Sequence, residues 1–274
     1  MANQLIRNTG LGGALIIGLG SILGTGAYVS IGLSASIAGS LLVWAIIIAA
    51  LTALCNGLSS AQLAAAHPVS GGTYEYGYYF LTPLSGRIAG WLFIIAKSAS
   101  AATAALAVAW YISVTIGLSA WSVNLIAVGL LLLLTIFVLF GVRRTNWLNI
   151  VLVLISLVGL AAFIIAAFSA QKTTNSPTVS TDSLSLFHAA AFMFVAFTGY
   201  GRIATMGEEI TEPRRNIPKA IVLTMAVVSA IYIAVGLAIL HLGGVASFEQ
   251  SHFNIATLIS DPNWRWLVVF GGVV

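Results

Sequence analysis

The chain has 274 residues, 59% of them hydrophobic and only 7% charged, with a formal net charge of +4 and a mean hydropathy of +1.04. That is too little charge to coat a water-soluble globule of this size, so composition excludes a soluble protein and argues against nucleic acid as the partner of the positive charge. The single cysteine, Cys55, sits in an apolar run and supports neither a disulfide framework nor a metal cluster.

Taken in chain order, stretches long enough to cross a roughly 30 Å hydrocarbon layer fall at 11–36, 41–63, 89–114, 123–141, 147–170, 186–207 and 217–242. The segment after Arg7 is longer than a signal-peptide core and other spans follow it, so it reads as a retained first helix. An eighth stretch begins at Trp264, and the chain stops at Val274 with about half a crossing complete. That predicts a chain truncated within its eighth helix. The connections, His67-Pro-Val-Ser-Gly-Gly72, 172–185 and 243–263, are too short to be domains, so 1–274 is expected to be one multispanning domain.

Short cytoplasmic loops carry the excess of Lys and Arg. With the N-terminus inside, Arg7, Arg87, Arg143, Arg144, Arg214, Arg215 and Lys219 face the cytoplasm, and only Lys172 and Arg265 face out. A multi-pass protein of the cytoplasmic membrane follows. Trp121, Trp147, Trp264, Trp266 and Tyr28 lie near proposed span ends and are expected to anchor at the headgroup level.

Two spans are interrupted, at Gly18-Leu-Gly-Ser-Ile-Leu-Gly-Thr-Gly26 and Phe197-Thr-Gly-Tyr-Gly201. Each glycine costs a helix up to about 1 kcal/mol relative to alanine, so Gly18, Gly20, Gly24 and Gly26 weaken the first span locally. Close helix packing through Gly20-Ser-Ile-Leu-Gly24 is the alternative, while the absence of a strand-turn-helix context excludes a dinucleotide fingerprint. Non-helical backbone survives at membrane depth only where protein or a water-filled cavity satisfies it. Two breaks therefore imply a polar site. At such a break the second half-helix offers N–H groups with partial positive charge, and the first half offers carbonyls. Gly24, Thr25 and Gly26 would meet a carboxylate, and the carbonyls around Ser21 and Ile22 an ammonium group. Thr198 and Gly199 form a second set, with Phe197 and Tyr200 as aromatic faces.

Gly20-Ser-Ile-Leu-Gly-Thr-Gly-Ala-Tyr28, Pro68-Val-Ser-Gly-Gly-Thr-Tyr74, Phe194-Val-Ala-Phe-Thr-Gly-Tyr-Gly-Arg-Ile-Ala-Thr-Met-Gly-Glu-Glu209 and Glu212-Pro-Arg-Arg-Asn-Ile-Pro-Lys219 follow one another along the chain. In these motifs the protein resembles the amino acid-polyamine-organocation permeases. The resemblance implies an all-α integral membrane fold built as an inverted five-plus-five helix repeat, with the first and sixth helices broken around a central amino acid site. It also implies substrate positions at Ile22, Gly24, Thr25, Gly26, Phe197, Thr198 and Gly199. Several members carry a basic residue in the fifth span in place of a sodium ion; here 147–170 contains no charge.

Lys97 lies about ten residues into the third span, where a lysine costs about 2.5–3.5 kcal/mol on insertion scales. It is either a proton-exchanging or substrate-contacting ammonium, or one whose stem lies along the helix while its head reaches water. Arg202 directly follows the second break and is expected either to meet a substrate carboxylate or to gate by pairing with Glu208 or Glu209, about two helical turns on. Glu212 to Lys219 is expected to cap the seventh helix, with Pro218 near its first turn. His67, His188, His241 and His252 are scattered and suggest no metal site, and Tyr74 to Phe80 reads as an inner interfacial segment.

Gly32-Leu-Ser-Ala35 and Gly117-Leu-Ser-Ala120 leave an intramembrane serine hydrolase as a remote alternative, but nucleophilic chemistry needs a base within reach of Ser34 or Ser119. The expectation is therefore not an enzyme but a secondary active amino acid permease working by alternating access, with proton coupling open. An exchanger or a non-transporting nutrient sensor is the alternative. No cofactor is expected, and the partners are a small amino acid, the bilayer and, under coupling, protons.

Overall fold

The computed structural model describes residues 7–117, 119–139, 145–171, 183–243 and 254–273. The described residues form helices joined by short turns, in register with the apolar stretches. Helix α1 (Leu11–Thr25) runs through a wide π turn (Gly26–Ser30) into α2 (Ile31–Ala38), and α3 (Leu42–Ala66) follows. Gly39 makes the reversal between α2 and α3 with φ 56°, a conformation open to glycine at little cost. The short α4 (Thr73–Tyr76) precedes α5 (Pro83–Ile116), α6 (Ala120–Leu139), α7 (Thr145–Ser169), α8 (Ser183–Phe197), α9 (Gly201–Ala204), α10 (Pro213–His241) and α11 (Pro262–Val273).

Among the described residues, five stretches are long and apolar enough to cross a membrane: Leu11–Ala66, Pro83–Ser113, Asn149–Ser169, Ser183–Ala204 and Pro213–His241. The first has 56 residues and turns back at Gly39, so it holds two of the expected spans. The expected fourth span contains a shorter apolar helix, Trp121–Ile136. The protein is thus an all-helical, multi-pass membrane protein. Helix α5 starts six residues before the proposed span because Thr82 caps it, its side chain accepting from the Ser85 N–H, and Pro83 occupies the first turn.

Helix α10 packs against α3, α1 and α7, while α8 lies on α2 and α3, α11 on α7, and α6 on α5. Large apolar side chains point outward, among them Trp121 at 85% exposure and Leu125 at 75%. In water such surface would be an aggregation hazard; in lipid it is the solvated face. Trp121, Trp147 and Trp266 are exposed as anchors should be, and Trp264 packs partly against the core. Tyr28 is not an anchor. It is 1% exposed, its hydroxyl donates to the Ser156 carbonyl at 2.7 Å, and its own carbonyl accepts from Tyr111 at 3.1 Å. The π turn rotates Tyr28 inward toward α7, where its hydroxyl finds a partner.

Beside it α7 and α11 touch through glycines: a Cβ on Gly159 would lie 2.8 Å from Gly271 Cα and 2.6 Å from the Tyr28 hydroxyl. Backbone and a hydrogen-bonded side chain cannot both retreat. Gly159→Ala is expected to destabilise the fold by about 1–3 kcal/mol through overpacking, read as a lower thermal unfolding midpoint in detergent; an unchanged midpoint would contradict this contact.

Candidate functional site

Helix α1 stays regular up to Leu23, and its break is narrower than the glycine count suggests. Gly18 and Gly20 are helical and serve close packing: an added Cβ would lie 2.6 Å from Ile203 Cδ1 at Gly18 and 2.5 Å from Asn149 Oδ1 at Gly20. The departure from helix is at Gly24, with φ −56° and ψ −116°, followed by the π turn. The second break is a 3₁₀ turn, Thr198–Tyr200, between α8 and α9. The two meet at Gly199, which lies against the Ser21 carbonyl oxygen and where a Cβ would come 2.6 Å from Ile22 Cγ1. Only glycine permits that approach.

A residue that sequence reasoning missed joins them. Tyr232 of α10 is fully buried, and its hydroxyl donates to the Ile22 carbonyl at 2.8 Å, with the Ala196 carbonyl at 3.5 Å. Its ring lies 5.0 Å from that of Phe197, and its hydroxyl sits over Gly26. The Ile22 carbonyl, expected to await an ammonium group, is therefore held by a tyrosine of the same chain. A lone tyrosine in an apolar run carries no signal of this role, since its partners lie 210 and 36 residues away.

The remaining expected positions divide between packed and open. Ile22, Gly26, Phe197, Gly199 and Tyr200 are buried, and the Tyr200 hydroxyl is held by the Asn56 side chain. Thr25 ends α1. Gly24 is exposed, with nothing within 4 Å of where its Cβ would stand, so space opens beside the first break. Thr198 is exposed, its hydroxyl donating to the Val195 carbonyl at 2.7 Å, and Arg202 is exposed one turn below. Lys97 is exposed on α5, its Nζ 5.6 Å from the Phe93 ring centroid, near enough to Arg202 for the two charges to interact.

Among the described residues, no carboxylate lies within ion-pair distance of Arg202, and the pairing expected with Glu208 or Glu209 does not form. Helix α9 ends at Ala204 and the chain turns, so the acids do not continue on its face. That turn is tied down instead. The Glu209 carbonyl accepts from the Thr9 N–H at 3.1 Å and the Thr9 carbonyl from the Thr211 N–H at 2.9 Å, while Ser70 bridges to Met206. Tyr76 donates to the Ala204 carbonyl at 3.1 Å, and burial pushes its hydroxyl up to about 12, so it stays a donor at neutral pH. Tyr74, Tyr78, Tyr79 and Phe80 are exposed around it. Helix α10 begins at Pro213, four residues before the expected start, and Pro218 lies inside it. Glu212 precedes it at φ 46° without a side-chain cap, facing Arg215 at 3.8 Å.

His67 pairs with Glu75 at 3.4 Å and stacks on Tyr79, His241 lies 3.2 Å from the Ala170 carbonyl, and His188 is exposed. No group of three metal-ligating side chains occurs among the described residues. Ser34 is buried and donates to the Ala189 carbonyl at 3.2 Å, and Ser119 pairs with Ser122, so neither contacts a histidine. Arg143, Arg144, Lys172 and His252 lie outside the described residues.

The family model described as "Amino acid permease" matches residues 10–270. The chain belongs to the amino acid permease family. It is 35% identical over 271 residues to an uncharacterised transporter of Mycobacterium tuberculosis, covering 97% of this chain and 60% of that protein. To the branched-chain amino acid permease BcaP of Bacillus subtilis it is 26% identical, covering 96% of this chain and 61% of that one. To the methylthioribose transporter of the same organism it is 30% identical, covering 81% and 52%. The chain thus spans about 60% of the length of the first two relatives.

Removing only the hydroxyl of Tyr232 leaves the buried carbonyl of Ile22 without its donor. Tyr232→Phe is expected to cost about 1–3 kcal/mol in thermal unfolding in detergent, and Phe197→Leu, which removes the tilted ring contact but no hydrogen bond, to leave the Ile22 contact intact. An unchanged midpoint for Tyr232→Phe would remove its role.

Proposed function

We propose that this chain carries the substrate-binding part of a secondary active amino acid permease of the cytoplasmic membrane, with its N-terminus inside. The observation that carries the proposal is the meeting of two broken helices at Gly199 and Ser21, with open space beside Gly24. Helices in lipid satisfy their own backbone; interrupting two of them at one level leaves N–H and C=O groups suited to a zwitterion. On this proposal α1 through α7 form the first five-helix repeat, and α8 through α11 open the second, inverted one. The whole of 1–274 would then belong to one domain. The amino acid carboxylate meets the amides of Gly24, Thr25 and Gly26, and Ile22, Phe197, Thr198, Gly199 and Tyr200 enclose the rest.

A single family, with relatives named for branched-chain amino acids and for methylthioribose, supports a small organic solute, and the apolar side chains of Ile22 and Phe197 favour a neutral amino acid. No nucleophile contacts a base among the described residues, which leaves the hydrolase alternative without support. Lys97 feels the charge of Arg202, and a lysine, unlike an arginine, can release its proton during the cycle. Lys97 is the proposed coupling residue and Arg202 the proposed gate.

The test is a substrate panel with the full-length permease in liposomes, comparing neutral, acidic and basic amino acids and methylthioribose, with and without a proton gradient. Saturable counterflow of a neutral amino acid is expected; binding without flux would indicate a sensor, and uptake of methylthioribose alone would move the substrate class. Lys97→Met is expected to abolish accumulation driven by the pH gradient while counterflow persists. Accumulation at the parent rate would refute coupling through Lys97, and loss of gradient dependence in the parent itself would indicate an exchanger.

A further inference from the structure

On the same end of the molecule as the Thr9–Glu209 tie, a surface cavity of about 390 Å³ is lined by Arg7, Pro68, Glu212, Pro213, Arg214 and Arg215. Its guanidiniums come from two chain segments some 200 residues apart, brought together because Thr9, two residues beyond Arg7, is hydrogen-bonded to Glu209 and Thr211 just before α10. Three arginines and one glutamate line it. Among the described residues that carboxylate, Glu212, approaches only Arg215, at 3.8 Å with both side chains about 70% exposed, a geometry that neutralises little. A cavity lined by three arginines and one carboxylate suits a phosphate, which arginine binds bidentately.

The helix above the cavity says which phosphate. Along α10, Arg215, Lys219, Val222, Leu223, Ala226, Val227 and Ala230 fall on one face and are all exposed. The face is basic for its first turns and apolar after them, with Val222, Leu223 and Val227 39–44% exposed. A soluble phosphate would use only the first part. A membrane phospholipid would use both, its headgroup in the arginine cavity and its acyl chains along the apolar stripe, as basic pockets at the cytoplasmic ends of membrane helices can hold anionic lipids.

We propose that this cavity is a binding site for an anionic phospholipid of the inner leaflet, seated between the segment before α1 and the start of α10. The inference rests on the orientation proposed above, in which this end is cytoplasmic. The lipid braces the link between Arg7 and α10, close to the turn that follows α9, and so acts on the helix that carries the second break.

The test is native mass spectrometry of the detergent-purified protein with phosphatidylglycerol, phosphatidylcholine or inorganic phosphate added, with neutral amino acid binding measured on the same preparation. Phosphatidylglycerol is expected to be retained over phosphatidylcholine, more weakly at high salt, and at least fivefold less by Arg7→Gln/Arg214→Gln/Arg215→Gln. Arg87→Gln, an exposed arginine at the start of α5, serves as the control and is expected to retain it like the parent. Equal retention by the triple variant, equal loss in Arg87→Gln, or displacement of the lipid by millimolar inorganic phosphate would each overturn the site. In the parent protein, absence of lipid selectivity with amino acid binding intact refutes this inference alone, whereas retained lipid without amino acid binding refutes only the permease proposal.

Discussion

A backbone carbonyl released from a helix inside the bilayer must find a donor, and one phenolic hydroxyl answers that demand where it is sharpest. Tyr232 sits where α1 and α8 end their regular turns and donates to Ile22, with Ala196 also in reach. With no water in the hydrocarbon core, each such carbonyl left alone would cost several kcal/mol. The breaks are tolerable because α10 delivers this hydroxyl, and α10 can do so because it packs between α1 and α3. The placement of α10 and the existence of the breaks are thus one physical fact.

The same economy of space explains the glycines. Lipid supplies no hydrophobic drive between helices, so association depends on close packing. Gly18 and Gly20 let α1 approach α9, α10 and α7, Gly199 admits the Ser21 carbonyl, and Gly159 faces Gly271 where α7 meets α11. Against this tight core stands an open side at Gly24, Thr198 and Arg202. Packed contacts hold the broken segments in register, while Gly24, Thr198 and Arg202 stay exposed.

Below the breaks, the chain invests its backbone in cross-links instead of helix. Thr9, Ser70 and Tyr76 each hold the segment 204–211 through main-chain groups. The end of α9 is therefore tied to the chain before α1 and to the loop after α3. Motion of the second broken helix would be felt at both, and the arginine cavity lies on the same link.

The helical spans, their order and the two interrupted segments were legible in the sequence, because length and hydropathy report directly on the cost of burying backbone in lipid. What the residues alone left open was which glycines bend and which pack. Four glycines between 18 and 26 look alike as helix breakers, yet Gly18 and Gly20 remain helical and are small because facing side chains from other helices leave no room for a Cβ. Tyr28 read as an interfacial ring until the π turn carried it inward to Ser156. Glu208 and Glu209 looked like ion-pair partners of Arg202 until α9 stopped at Ala204. Local composition by itself determined where the chain crosses the bilayer and where regular helix is weak. Only the tertiary structure decided which hydroxyl serves the carbonyls at the breaks, because that pairing joins residues far apart in the chain and periodicity carries no information across that distance, and which nearby charges stay apart, because the end of α9 turns the chain.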